Sequence, residues 1–507
     1  MKLIALPLAV LAMTAATPVD AQRMVEFAAT APTSGTLVLP LSSAADIAAR
    51  APGLDAAARA AVDRALSAQE FDFDQGATAT VPAAGGYRSI LVVGMGDAVP
   101  GATDLHEIGA IAARETAGMT GPVAIAAGGL AEGAAAEMAL GARLGGYAFD
   151  TYKAKDADAT VSGPITVIGA GGANWDRRNA ALADGVALAR DLISEPANVI
   201  YPESFVERTR KAFAGTRGVT IEVLDEAQME RMGMGAILSV GKGSARPPRM
   251  LVVHYRGSNA QPIVLAGKGI TFDTGGISIK PASGLWRMKG DMAGAAAVVG
   301  TVHALAKSGA QTNVVAIAAL AENMPGDAAT RPGDIVRAMN GKTIEVLNTD
   351  AEGRMVLADA VAYGERQFKP AAIVDIATLT GAKVTALGSD HAALFARNDG
   401  LAGQLEAASE ATGEKVWRLP LTESYSASIK SQFADYANVS DGGGAPGAAY
   451  GAAFIGAFVT PATPFAHLDI AGMQFGVSGP LTPTGVDAFG VRLLEQFVRN
   501  FRPVAGE

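Results

Sequence analysis

The 507-residue chain contains no cysteine. That excludes disulfides, thiolate-bound metal and a cysteine nucleophile. Histidine is scarce: His106, His254, His303, His391 and His467 are scattered and read as core or surface residues. Any metal held by this chain is therefore held mainly by oxygen, which favours hard or borderline divalent ions. Aromatic residues make up 6%, and after the first residues no uninterrupted apolar run reaches membrane-spanning length. Basic excess is lacking too. The net charge of −9, with a pI near 5.3, leaves no nucleic-acid footprint.

Several motifs fail by one residue. Gly94-Met95-Gly96 opens a dinucleotide loop, but Val99 stands where its third glycine belongs; Gly169-Ala170-Gly171 fails likewise at Asn174. His106-Glu107 begins an H-E-x-x-H pattern that Ala110 breaks. Gly341-Lys342-Thr343 resembles the end of a phosphate loop, but Val336 replaces its opening glycine and a strand follows it rather than preceding it. No G-x-S-x-G elbow is present.

What is present is a chain too long for one core, rich in alanine and glycine and 49% hydrophobic. Residues Met1 to Ala21 read as a secretory signal: Lys2, an apolar stretch from Leu3 to Ala16, and a small-residue cleavage site at Val19-Asp20-Ala21. The expected location is periplasmic or secreted, with the cytoplasm as the alternative. Residues 22–176 read as an N-terminal α/β domain, with strands at Ser89 to Val93, Val123 to Ala127 and Ile165 to Ile168. A linker helix is expected over 177–198, ending at Glu195-Pro196. Residues 199–507 alternate strand and helix patterns. The strands are Met250 to Tyr255, Ile263 to Ala266, Asn313 to Ala318, Thr343 to Leu347 and Ala372 to Ile376. The fold class is α/β in two domains, each a mixed or largely parallel sheet flanked by helices.

Three acidic segments carry the chemistry. Asn348-Thr349-Asp350-Ala351-Glu352-Gly353-Arg354 reads as a strand-to-helix loop, where α/β sheets place ligands. If extended, it points Asp350 and Glu352 the same way. Lys268, Asp273 and Lys280 lie in a glycine-rich stretch, and Asp291 precedes a small-residue helix. Four carboxylates meeting in one pocket repel one another without cations, and two divalent ions would neutralise them. Such a pair activates a water and polarises a carbonyl. A buried lysine beside dications loses its proton and becomes a possible ligand, while a second lysine left charged can stabilise an oxyanion.

These segments resemble the leucyl aminopeptidase family, the cytosol-type di-metal exopeptidases. The matches are N-T-D-A-E-G-R at 348–354, G-K-G-I-T-F-D-T-G-G-I-S-I-K-P from Gly267, and D-M-A-G-A-A from Asp291. The resemblance covers about 185–507; over 22–176 it rests on length and α/β character. It implies that Lys268, Asp273, Asp291, Asp350 and Glu352 are metal ligands, with Asp273 and Glu352 bridging two ions. It also implies that Lys280 and Arg354 are the catalytic pair. Lys280 would stabilise a gem-diolate, and Arg354 would hold a bicarbonate that moves a proton. Met288, Thr378, Gly381 and Ala471 match positions lining the pocket for the N-terminal side chain, with Met473 and Gln474 at its variable edge. The cofactors implied are two divalent ions, Mn²⁺ or Zn²⁺. The implied substrates are peptides with a leucine-like first residue, and the implied assembly is a homohexamer. Another two-metal hydrolase, such as a phosphatase, is the alternative on chemistry alone. A DNA-binding accessory role is disfavoured by the net charge.

Overall fold

The computed structural model describes residues 23–154, 163–440 and 446–505. The leader expected over Met1 to Ala21 lies outside the described residues. Among them, no helix is long and apolar enough to cross a membrane.

The first sheet has six strands: β1 (Val25–Ala28), β2 (Thr36–Leu41), β3 (Thr78–Ala84), β4 (Tyr87–Gly94), β5 (Val123–Ala126) and β6 (Ile165–Ile168). Their order is β1-β6-β5-β2-β4-β3, parallel except for the β3–β4 hairpin. Burial explains the patterns. β3, on the antiparallel edge, alternates buried and exposed residues, whereas central β2 is buried throughout. Pro40 makes β2 hard to read as a central strand. It is accommodated because β5 pairs only with Thr36 to Val38.

The second sheet is built from β7 (Val219–Leu224), β8 (Arg249–Arg256), β9 (Ile263–Asp273), β10 (Asn313–Asn323), β13 (Ala372–Ala377), β14 (Ala392–Ala396), β15 (Val416–Arg418) and β17 (Phe465–Asp469). Its order is β15-β14-β17-β13-β9-β10-β8-β7. The centre, β17-β13-β9-β10, is parallel, and antiparallel pairs lie on both sides. Both sheets are thus mixed, as expected. A third, three-stranded sheet joins β11 (Ile335–Arg337), β12 (Thr343–Glu345) and β16 (Tyr436–Ala437).

Helix Ala180–Ser194 runs between the two large sheets and packs on helix Ala293–Lys307. The second helix is buried from Ala293 to Ala306, so its small residues are core on every side. Backbones meet closely there: a methyl on Gly185 would lie 2.4 Å from the Gly300 carbonyl oxygen.

Two expectations change. The strand expected at Ile263 to Ala266 continues to Asp273, so Lys268 and Asp273 lie on strand rather than loop. Gly267 and Gly269 of this glycine-rich stretch mark tight packing. A side chain at Gly267 would strike the Gly294 carbonyl oxygen at 2.4 Å. The strand before Asn348 also does not belong to the main sheet. It is β12 of the small sheet, paired antiparallel to β11 and parallel to β16.

Candidate active site

At the carboxyl ends of β9 and β13 lies a cavity of about 760 Å³, lined by all eleven site residues named from the sequence. A fault in β9 makes this possible. Lys268 and Asp273 are five residues apart, a spacing that points side chains to opposite faces of a regular strand. Opposite Ala321 and Glu322 of β10, however, stand Ile270 and Phe272, so Thr271 is an unpaired bulge residue. The extra residue restores both side chains to one face.

The acidic loop also departs from its expected shape. Glu352 is helical (φ −80°, ψ −32°) and caps helix Gly353–Phe368, so Asp350 and Glu352 converge through a turn rather than an extended segment. Asp273, Asp350 and Glu352 each bring one carboxylate oxygen to a cluster in which these atoms lie within 4.8 Å of one another.

Two ammonium groups sit among the acids. Lys268 Nζ is 2.8 Å from Asp291 Oδ2 and 2.9 Å from Glu352 Oε1, and donates to the Thr378 carbonyl oxygen at 2.9 Å. Lys280 Nζ is 2.8 Å from Asp273 Oδ2 and also contacts Asp350 Oδ1. Burial alone would lower both lysine pKa values. The carboxylates outweigh it, led by Asp291 and Glu352 at Lys268 and by Asp273 at Lys280, so both are raised. Burial pushes Glu352 up to about 8 and Asp291 up to about 6, with Asp273 adding repulsion at each. Gly353 is required where Lys268 passes, because a side chain there would lie 2.6 Å from Lys268 Cδ and Cε.

Neutral groups complete the frame. Asp273 Oδ1 accepts from Gly275 N at 2.9 Å and Asn323 Nδ2 at 2.8 Å. Thr378 donates its hydroxyl to Asp291 Oδ1 at 2.5 Å. Arg354 is buried, donates Nη1 to the Asn438 carbonyl oxygen at 2.8 Å, and lies 5.8 Å from the Tyr450 ring centre. Sequence reasoning missed these supports. It missed Asp469 as well, two residues beyond His467. The Asp469 carboxylate accepts from Leu379 N, Ala471 N and the Thr380 hydroxyl, fixing both segments beside the cavity. Lys383, buried, ties the same region by donating to the Gly388 and Ala471 carbonyl oxygens.

The donor set suits hard divalent cations: at least three oxygen ligands converge, and the buried Glu352 Oε2 has no hydrogen-bond partner. A mixed α/β sheet bearing an oxygen-rich carboxylate cluster with adjacent lysines fits the class of metal-dependent hydrolases.

The chain belongs to the cytosol aminopeptidase family. The family's catalytic-domain model matches residues 187–495 and its N-terminal-domain model residues 38–156, so the kinship reaches a region where sequence motifs were silent. A probable cytosol aminopeptidase of Methylobacterium radiotolerans is 46% identical over 474 residues, covering 91% of this chain and 93% of that one. One from Rhizobium etli is 48% identical over 376 residues, covering 72% and 75%. Among solved structures, the bottromycin maturation enzyme BotP in complex with Mn has a TM-score of 0.81 at 32% identity, covering 92% of this chain and 99% of that one. A tomato leucine aminopeptidase mutant has a TM-score of 0.82 at 30% identity, covering 96% and 98%. The chain is a metal-dependent aminopeptidase, acting on the N-terminal residue of peptides.

Proposed function

We propose that the cluster holds two divalent ions, with Lys268, Asp273, Asp291, Asp350 and Glu352 as ligands and Lys280 and Arg354 as the catalytic pair. The observation that carries this reading is the 4.8 Å cluster with its unpartnered Glu352 oxygen. When bound, the ions supply an activated water and polarise the scissile carbonyl. Lys268 ligates through its nitrogen lone pair, which requires loss of its proton. Lys280 stabilises negative charge developing on the substrate carbonyl oxygen, once ions relieve it of Asp273 and Asp350. Arg354 presents a planar fork suited to an oxyanion such as bicarbonate, which would relay the proton to the leaving amine. Its buried, unpartnered Nε supports an oxyanion at that place. The N-terminal side chain lies against Met288, Thr378, Gly381 and Ala471, a lining that suits a leucine-like residue.

The ion is Mn²⁺ or Zn²⁺; the structure of BotP in complex with Mn supports the first. The proposed divisions are 22–176, a 177–198 link, and a catalytic part over 199–507. The assembly is a homohexamer, checked by the mass of the native particle. As to location, relatives named cytosol aminopeptidases favour the cytoplasm over export. The first residue of the mature protein decides the point: Gln22 indicates a cleaved leader, Met1 or Lys2 the cytoplasm.

The test is hydrolysis of aminoacyl anilides after chelation and after adding back Mn²⁺, Zn²⁺ or Co²⁺, beside an aryl phosphate. Activity must disappear on chelation and return with metal. Full activity in protein shown by elemental analysis to be metal-free removes the proposal.

A further inference from the structure

The cavity extends beyond the acidic cluster to a rim of different character. The turn Leu285–Gly290 lies on it, immediately before Asp291. Arg287 of this turn lines the same cavity as the cluster, together with Phe475. Trp286 and Phe475 pack with ring centres 5.9 Å apart, and Trp286 is 61% exposed. The Arg287 guanidinium carbon stands 5.4 Å from the centre of the Trp286 ring.

Charge accounting separates Arg287 from the other cations of the cavity. Lys268 and Lys280 are ion-paired with carboxylates, and Arg354 is hydrogen-bonded to the Asn438 carbonyl oxygen. Among the described residues, no carboxylate lies within ion-pairing distance of Arg287. Among the same residues no hydrogen-bond partner of its guanidinium is found, and its contact is with the Trp286 ring. A ring contact of this kind leaves the N–H groups of an exposed guanidinium available, which suits bidentate capture of a carboxylate. The cavity also falls in the 300–1,000 Å³ range of small-molecule sites, so it can seat more than one residue of a peptide.

We infer that Arg287, backed by Trp286 and Phe475, is a subsite for a carboxylate on the leaving side of the peptide. That carboxylate is either the side chain of the second residue or the free C-terminus of a dipeptide. The inference rests on the aminopeptidase reading of the same cavity. The first residue is the poorer candidate, because its proposed pocket is lined by Met288, Thr378, Gly381 and Ala471, none of them charged.

The experiment measures kcat/KM on matched peptide pairs with Mn²⁺ enzyme. Leu-Glu-amide against Leu-Gln-amide tests the side-chain source, and Leu-Ala against Leu-Ala-amide the C-terminal source. Glu-Ala-amide against Gln-Ala-amide tests the first residue. Wild type should prefer the carboxylate member of at least one leaving-side pair by about 3- to 10-fold, the range for a partly exposed charge-assisted contact. Arg287→Ala should bring that ratio near one, and Arg287→Glu should invert it. Equal ratios in all three proteins, with good hydrolysis, overturn the subsite alone. An Arg287-dependent ratio confined to the first-residue pair overturns the leaving-side assignment. Hydrolysis of none of these peptides by the Mn²⁺ enzyme overturns the aminopeptidase reading and the subsite together.

Discussion

Around the second sheet lie two sets of acids that differ in their main partners. Asp359 accepts from Ile237 N at 2.9 Å and Met339 N at 2.8 Å. Glu414 accepts from Gly490 N at 3.1 Å and Leu493 N at 2.7 Å and lies 3.4 Å from Arg492 Nε, and Asp469 accepts from three backbone N–H groups and a hydroxyl. In the cavity, Asp291 and Glu352 face the Lys268 ammonium, Asp273 and Asp350 face that of Lys280, and one Glu352 oxygen has no partner. Donors built into the backbone cannot leave, so the first set ties loops together. A lysine ammonium is a mobile cation that another cation can replace, so the second set can exchange partners. The comparison supports the proposal that the cavity acids are ligands, with the others as struts.

The largest effect expected from breaking this contrast is at Asp273. Asp273→Ala should lower metal content and activity together, the activity by roughly 10³-fold or more, beyond the 10–100-fold typical of outer-sphere partners. Normal metal content by elemental analysis would move Asp273 into the strut class. Lys280→Ala should act on rate alone. Metal stays bound, kcat falls roughly 10²–10³-fold, and KM changes less. Loss of metal in that variant would make Lys280 a structural counter-ion.

For the struts, the readout is stability. Asp469→Ala leaves buried donors at Leu379, Thr380 and Ala471 unpaired. It should lower unfolding free energy by about 3–5 kcal/mol. A loss below about 1 kcal/mol in denaturant titration would contradict its assignment. Asp359 adds a pH signature. Burial pushes it up to about 7 from an ordinary 3.8, with its backbone donors opposing. Because the folded-state value is the higher, its stabilisation is complete below about pH 4 and is lost as pH rises through 7. Between pH 5 and 8 this amounts to roughly 2–3 kcal/mol, at ~1.4 kcal/mol per pH unit. Asp359→Asn should flatten that decline. An unchanged pH slope of unfolding free energy would refute it.

Much of this site was legible in the sequence because it is carried by local motifs. Three short acidic segments supplied every residue of the cluster, and the helix after Arg354 followed its apolar spacing. What was not legible depends on distant partners. The bulge at Thr271 exists only against β10, and without it Lys268 and Asp273 could not share a face. The glycines of β9 resemble loop glycines until the helix packed on them is known. Strands such as β2 and β14 are apolar runs whose helix-or-strand ambiguity is resolved by sheet neighbours. Asp469 and Asp359 look alike in sequence to Asp291, and their hydrogen bonds alone divide them.

The most direct measurement is therefore metal stoichiometry by titration calorimetry with Mn²⁺ on wild type, Glu352→Gln and Asp469→Asn. The account predicts two ions per wild-type chain, fewer than two in Glu352→Gln, and two in folded Asp469→Asn. Equal stoichiometry and affinity in wild type and Glu352→Gln, or ion loss in a folded Asp469→Asn, would contradict the division between ligands and struts.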